Sequence, residues 1–177
     1  AHVLVVGWVL SLGEVDEVWV IPTGGHPFGK DMAPFDDRME MCRRAFACYG
    51  DRVRLLDIEK QPHTHYTIQT LQTLAKHHPE YQWRWIMGSD TLADAPKWHR
   101  FEEVMRQAPP LIIPRQGYHP QDDMKSQGPS ADFTLPDISS TLIRQKLQSG
   151  QTADLTGLLP APVLDWIRER SLYDIAR

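Results

Sequence analysis

The chain alternates short apolar runs with longer stretches in which apolar positions return every three or four residues. "DEVWVIP", residues 16–22, has the pattern of a buried strand closed by proline. In "PFDDRMEMCRRAFACYG", Met39, Cys42, Ala45 and Phe46 recur at helical spacing, with Asp36 or Asp37 as the expected cap and Gly50 as the expected stop. A second strand follows at "RVRLLDIE". "THYTIQTLQTLAKHHP" places Ile68, Leu71 and Leu74 on one helical face and ends at Pro79. "YQWRWIMGSD" predicts a third strand running into a glycine turn, "RFEEVMRQA" a helix, "PPLIIPR" a fourth strand and "ADFTLPD" a candidate fifth. Helices are predicted over 140–149 and 160–170. The opening "HVLVVGWVLSLG" is apolar almost throughout, so periodicity alone does not separate a buried strand from a buried helix. Its length favours a helix, with Gly13 as the stop.

Strands that alternate with helices predict an α/β fold with a mainly parallel sheet and right-handed crossovers. The 177 residues suit one domain, 1–177, with a helical C-terminal part from 137 to 177. In such sheets ligands bind beyond the carboxyl ends of the strands. That rule points to residues 22–30, 88–90 and Arg115.

Composition narrows the classes of partner. The formal charge is −4, from 23 acidic and 19 basic residues, so a duplex nucleic-acid binder loses weight while a small anionic ligand does not. No apolar run is long enough to span a bilayer. The two cysteines, Cys42 and Cys48, form no CxxC pair and are too few for a disulfide scaffold. Two free thiols in a reducing cytoplasm is the expectation. The chain opens on Ala1 rather than methionine, so residues upstream are expected to be missing.

The stretch "DISSTLIRQKLQSG" asks for a chemical explanation. Ser139, Ser140 and Thr141 stand directly before an apolar-periodic run, and Arg144 lies about one turn inside it. One hydroxyl suffices as a helix cap. The others, with the helix's own N–H groups and a guanidinium, suit a phosphate. A decorated cap with a solvent-facing arginine explains the residues equally well. Lys30 and His26 lie in "PTGGHPFGK", where glycines admit close backbone approach and lysine supplies a point charge; an ordinary surface loop is the commoner case. Gly88-Ser89-Asp90 ends a strand, so Asp90 can meet a ribose hydroxyl or a cation, or merely cap the next segment. Trp98 can stack on a flat ring or simply pack. His63, His65, His77 and His78 lack a fourth ligand at zinc-like spacing and are expected at the surface. Asp36-Asp37 and Glu102-Glu103 are expected as helix caps and solvated faces.

Taken together, these segments resemble the nucleotidyltransferase superfamily and, within it, nicotinate/nicotinamide mononucleotide adenylyltransferase. "ISSTLIR" resembles the family's ISSTxIR signature, "DEVWVIPTGGHPFGK" its strand and loop with lysine, and "RMEMCRRAF" its RxxMxxxA helix. "HYTIQTLQTL" resembles its SYTxxTL segment, "WIMGSDTLADAPKWHRFEEV" its GxDxL…W…L pattern, and "LIIPRQGY" its strand followed by R-x-G. The family's opening strand and the first part of its GxFxPxHxGH turn have no counterpart in these residues, and His2 aligns with the second histidine.

The resemblance implies a Rossmann-like fold with helices on both faces of the sheet. It also implies transfer of AMP from ATP to the 5′-phosphate of nicotinate or nicotinamide mononucleotide in NAD biosynthesis, with Mg2+ accompanying ATP. His2, Lys30 and Arg144 would be catalytic. His2, Gly88, Asp90, Arg115, Ile138, Ser139, Ser140, Thr141 and Arg144 would bind ATP, and Thr67, Trp98 and Lys30 the mononucleotide. No protein-held metal, nucleic acid or membrane is expected, and a homo-oligomer stays open. The alternatives are a sibling adenylyltransferase of the phosphopantetheine type and a nucleotide-binding module without catalysis.

Overall fold

The computed structural model describes residues 1–25, 32–60, 66–91, 97–114, 136 and 138–173. The chain separates into two compact units, one built from Ala1–Lys60 with Asp137–Arg177, the other from Gln61–Pro136.

The first unit opens with helix α1, His2–Ser11. Val5, Val6, Val9 and Leu10 are its buried residues, a spacing only a helix turns to one side, which resolves the ambiguity of the apolar opening. Strand β1, Val18–Val20, runs parallel to β2, Val53–Leu55, with Val18 opposite Val53 and Val20 opposite Leu55. Between them lies helix α2, Phe35–Phe46. Its cap is not Asp36 or Asp37, as the sequence predicted, but Pro34 in extended conformation. The Pro34 carbonyl accepts the Arg38 N–H at 3.1 Å, so the helix starts earlier and both aspartates fall in its first turn, where they complement the dipole. Nor does Gly50 end α2 directly. The helix stops at Phe46 and tightens into a 3-10 segment, Ala47–Arg52, in which Gly50 takes φ 55° and ψ −137°. That left-handed turn re-aims the chain into β2 at no Cβ cost.

Helices α5, Ser140–Gln148, and α6, Ala161–Glu169, complete this unit around a core of Leu147, Leu155, Val163 and Ile167. Met41 and Ala45 of α2 pack against it. The expected solvated face at Asp36-Asp37 holds only for Asp36. Asp37 is buried and accepts from Arg170 Nε at 3.2 Å, which ties α2 to the end of α6. Trp166 lies beside the same junction, with the Arg44 and Arg170 guanidinium carbons 4.5 and 5.6 Å from its ring centre.

The second unit holds helix α3, Thr67–His77, strand β3, Trp85–Gly88, helix α4, Phe101–Gln107, and strand β4, Pro110–Ile113. β3 and β4 are parallel, with Trp85 opposite Pro110 and Gly88 opposite Ile113. Leu111, Ile112 and Ile113 are all buried, the continuous apolar run of a strand covered on both faces. α3 packs on α4 through Ile68, Leu71, Val104 and Ala108, with Trp83 and Trp85 against them. α3 ends as predicted, since His78 precedes Pro79 and leaves the helical region at φ −135°. The expected cap at Glu102-Glu103 is instead Arg100 in left-handed conformation, φ 56°, and Glu103 pairs with it. His77 is exposed as expected, while His78 is half-buried. His63, His65 and the candidate strand over 131–137 lie outside the described residues, Pro136 apart.

Candidate active site

In the first unit Ser139, Ser140, Thr141 and Arg144, four of the residues predicted to bind phosphate, form the start of α5. Ser139 has extended backbone, and its Oγ accepts the Leu142 N–H at 3.1 Å, so one hydroxyl is spent as the cap. Ser140 and Thr141 form the first turn and are exposed. The helix itself offers no acceptor to their N–H groups, which therefore carry its partial positive charge outward. Arg144 turns back along the helix, its Nε donating to the Ser140 carbonyl at 3.2 Å. This bond holds the guanidinium against the first turn of the helix. The donors at this end (two hydroxyls, two amides and a fork of N–H groups) are complementary to an oxyanion with several oxygens. Ile138, half-buried, leads into the cap.

The rest of this unit's candidates are placed less fully. His2 is the first residue of α1 and is exposed. Lys30 and His26 lie outside the described residues, as does Arg115 of the other unit. Tyr173, which no sequence signal marked, sits half-buried against the α5–α6 core. Burial pushes its phenol up, and Arg144 and Arg38 are the cations that oppose the shift.

In the second unit Gly88 is the last residue of β3, and the half-buried Asp90 belongs to the 3-10 turn over 89–91. The strand end thus delivers both to one short segment. Trp98 is half-buried, its ring edge-on to Trp85 at 6.2 Å and to Phe101 at 6.0 Å. Thr67 is the first residue of α3. Its neighbour Tyr66 is 47 % exposed, and the Tyr66 ring lies 4.6 Å from that of His99. This contact joins the start of α3 to the Trp98–His99 turn, so Thr67 and Trp98 share one region. Sequence reasoning picked out Thr67 and Trp98 and missed the pair beside them, whose only signal was adjacency.

Parallel strands with helices between them, strand-end turns and a donor-rich helix start suit an α/β protein that binds a phosphate-bearing ligand. Residues 1–146 match the cytidylyltransferase-like family model. Among curated relatives, the probable nicotinate-nucleotide adenylyltransferase of Anaeromyxobacter sp. (strain K) is 42 % identical over 176 residues, covering 98 % of this chain and 89 % of the relative. That of Myxococcus xanthus (strain DK1622) is 36 % identical over 180 residues, covering 99 % and 88 %. In fold, the chain is similar to the Plasmodium falciparum nicotinic acid mononucleotide adenylyltransferase complexed with NaAD, with a TM-score of 0.80 at 22 % identity over 99 % of this chain and 91 % of that one. The chain belongs to the cytidylyltransferase-like family and, within it, to the nicotinate-nucleotide adenylyltransferases, a family of nucleotidyltransferase enzymes.

Proposed function

We propose that this chain transfers the adenylyl group of ATP to the 5′-phosphate of nicotinate mononucleotide. A phosphate oxygen of the mononucleotide attacks the α-phosphorus, the bond to the β-phosphate oxygen breaks, and pyrophosphate leaves with that oxygen. No covalent enzyme intermediate is needed, so the protein's contribution is positioning and neutralisation of charge.

The observation that carries this reading is the start of α5, where Ser139 caps the helix and Arg144 turns back to the Ser140 carbonyl, with Ser140 and Thr141 exposed in the first turn. In this reading Ser140, Thr141 and Arg144 grip the triphosphate, with His2 and Lys30 adding donors and Arg115 reaching the nucleotide phosphates. Gly88 admits the adenosine, and Asp90 accepts from a ribose hydroxyl. Trp98 stacks on the pyridine ring beside Thr67. Among the described residues no three His, Cys, Asp or Glu side chains converge on one point. The donor set at α5 suits phosphate rather than a metal ion, so Mg2+ would travel with ATP, held by phosphate oxygens and water, and supply charge neutralisation there. Among the described residues no helix is long and apolar enough to cross a membrane. A cytoplasmic setting fits two free cysteines.

Substitution of Arg144 by alanine tests the reading. If the guanidinium meets charge that develops in the transition state, kcat/KM for ATP falls by about 2–4 kcal/mol of stabilisation. Unchanged turnover in the full-length variant would remove Arg144 from the site. A panel of nicotinate mononucleotide, nicotinamide mononucleotide and phosphopantetheine, each with ATP, separates the acceptor classes.

A further inference from the structure

A glycine stands at position 7 in the middle of α1, where it is unfavourable relative to alanine, so a close contact should account for it. That contact is Tyr49, from the 3-10 segment ahead of β2. A Cβ at Gly7 would lie 2.7 Å from the Tyr49 Oη, closer than real Cβ atoms come. The half-buried phenol uses the space so left to donate to the Val3 carbonyl at 2.7 Å. Burial pushes the phenol up, so it keeps the proton it donates.

Such a bond answers a particular weakness of α1. Val3, Leu4, Val5, Val6, Val9 and Leu10 make the helix apolar around its circumference, and Leu4 is 50 % exposed. Apolar burial is non-directional, so it holds such a helix without choosing sharply among rolls about its own axis. A hydrogen bond is directional. Val3 and Gly7 lie one turn apart on the same face, and the phenol engages both, so it selects a single roll. Successive residues of a helix turn about 100° from one another, hence the roll of the first turn sets where His2, beside Val3, projects.

We propose that Tyr49 is a positioning residue for adenylyl transfer: its hydroxyl fixes the roll of α1 at Val3 and so aims His2. The inference rests on the donor role given to His2 above. Tyr49→Phe removes one oxygen and leaves the ring where it is, which isolates the bond from the packing. Gly7→Ala attacks the same contact from the other side, by filling the space into which the phenol reaches.

The test is a double-mutant cycle in the full-length enzyme, read by steady-state kinetics with ATP and nicotinate mononucleotide. Tyr49→Phe is expected to lower kcat about 10-fold, as a loosened reacting group does, with the mononucleotide KM within about twofold. In a His2→Ala background Tyr49→Phe should cost almost nothing further, because the group it aims is gone. Full additivity of the two losses, or an unchanged kcat for Tyr49→Phe, overturns the inference and leaves the His2 role standing. A wild-type kcat for His2→Ala overturns that role, and the route proposed for Tyr49 with it. Gly7→Ala alone should lower both Tm and kcat, since the added methyl meets the hydroxyl. With Tyr49→Phe added, the nearest ring atom is Cζ at 3.5 Å, an ordinary contact, so Tm should recover while kcat stays low. Recovery of kcat together with Tm would show that the bond serves stability alone, and overturns the inference. If circular dichroism shows Gly7→Ala to be unfolded, the cycle of His2 and Tyr49 decides by itself.

Discussion

Leu147 decides whether the start of α5, proposed to grip phosphate, stands on a firm base. Its side chain is fully buried, as is that of Leu155, and Val163 and Ile167 beside it are 4 % and 2 % exposed. Leu147→Ala removes the transfer free energy of the lost carbons and leaves a cavity, together about 2–5 kcal/mol in well-packed sites. Neighbours this deeply buried have little room to collapse, which favours a value of about 3–4 kcal/mol. For a chain of this size each kcal/mol lowers Tm by about 2–4 °C, so a fall of about 6–16 °C is expected. Urea unfolding followed by tryptophan fluorescence reads the change, since Trp166 lies on the helix that Leu147 packs against. Gln148→Ala, one residue further on and exposed, is the control and should stay within about 0.5 kcal/mol. A loss below about 1 kcal/mol for Leu147→Ala would show that α5 is not anchored through this core.

Arg170→Ala strips the guanidinium from the buried Asp37 and should cost about 1–3 kcal/mol, whereas Lys60→Ala, which breaks the exposed Asp36 pair, should cost less than about 0.5 kcal/mol. Equal losses in thermal unfolding would count against burial as the cause. Trp98→Ala should raise the mononucleotide KM more than the ATP KM in initial-rate assays; equal rises would argue against stacking. Iodoacetamide followed by mass spectrometry should label Cys48 first, because Cys48 is exposed while burial pushes the half-buried Cys42 thiol up and keeps its thiolate scarce at neutral pH. Equal labelling rates would contradict that.

The elements were legible wherever one face is buried against a regular pattern. α3 follows from Ile68, Leu71 and Leu74, all of which are buried. β4 follows from a run of three buried aliphatics. The caps were less legible, because the sequence offers several polar residues where geometry uses one. At α2 two aspartates drew attention from Pro34, and at α4 two glutamates drew it from Arg100. At the site, Ser139 to Arg144 stood out because too many donors crowd one helix start. Tyr66 with His99 did not, since their contact joins residues far apart in the chain whose types carry no mark of pairing. Outside the site, the bonds of Arg38, from Nη1 to the Thr23 carbonyl and from Nε to the Ala33 carbonyl, did not either. Their acceptors are backbone carbonyls, which every residue type supplies.

That last point extends beyond Arg38. Arg52, the residue before β2, donates from Nε to the Asp16 carbonyl at 3.1 Å and from Nη2 to the Val15 carbonyl at 3.0 Å, just ahead of β1. Arg84, the residue before β3, donates in the same way to the Pro109 and Pro110 carbonyls at 2.9 and 3.2 Å, at the start of β4. In each unit, then, an arginine leading into one strand forks onto two carbonyls leading into its parallel neighbour. β1 and β2 have three residues each, and β3 and β4 have four. Ladders this short have few hydrogen bonds of their own with which to resist a slip. Pro110, the first residue of β4, has no N–H to donate, and the ladder begins instead with the Trp85 N–H donating to the Pro109 carbonyl at 3.3 Å. The Arg84 fork adds two side-chain bonds, to the Pro109 and Pro110 carbonyls, to that short ladder and so resists a slip of one strand past the other. Because turns at the carboxyl ends inherit the relative height of the strands, the pairing of Trp85 with Pro110 that Arg84 braces at one end carries through to Gly88 opposite Ile113 at the other, where the turn with Asp90 begins.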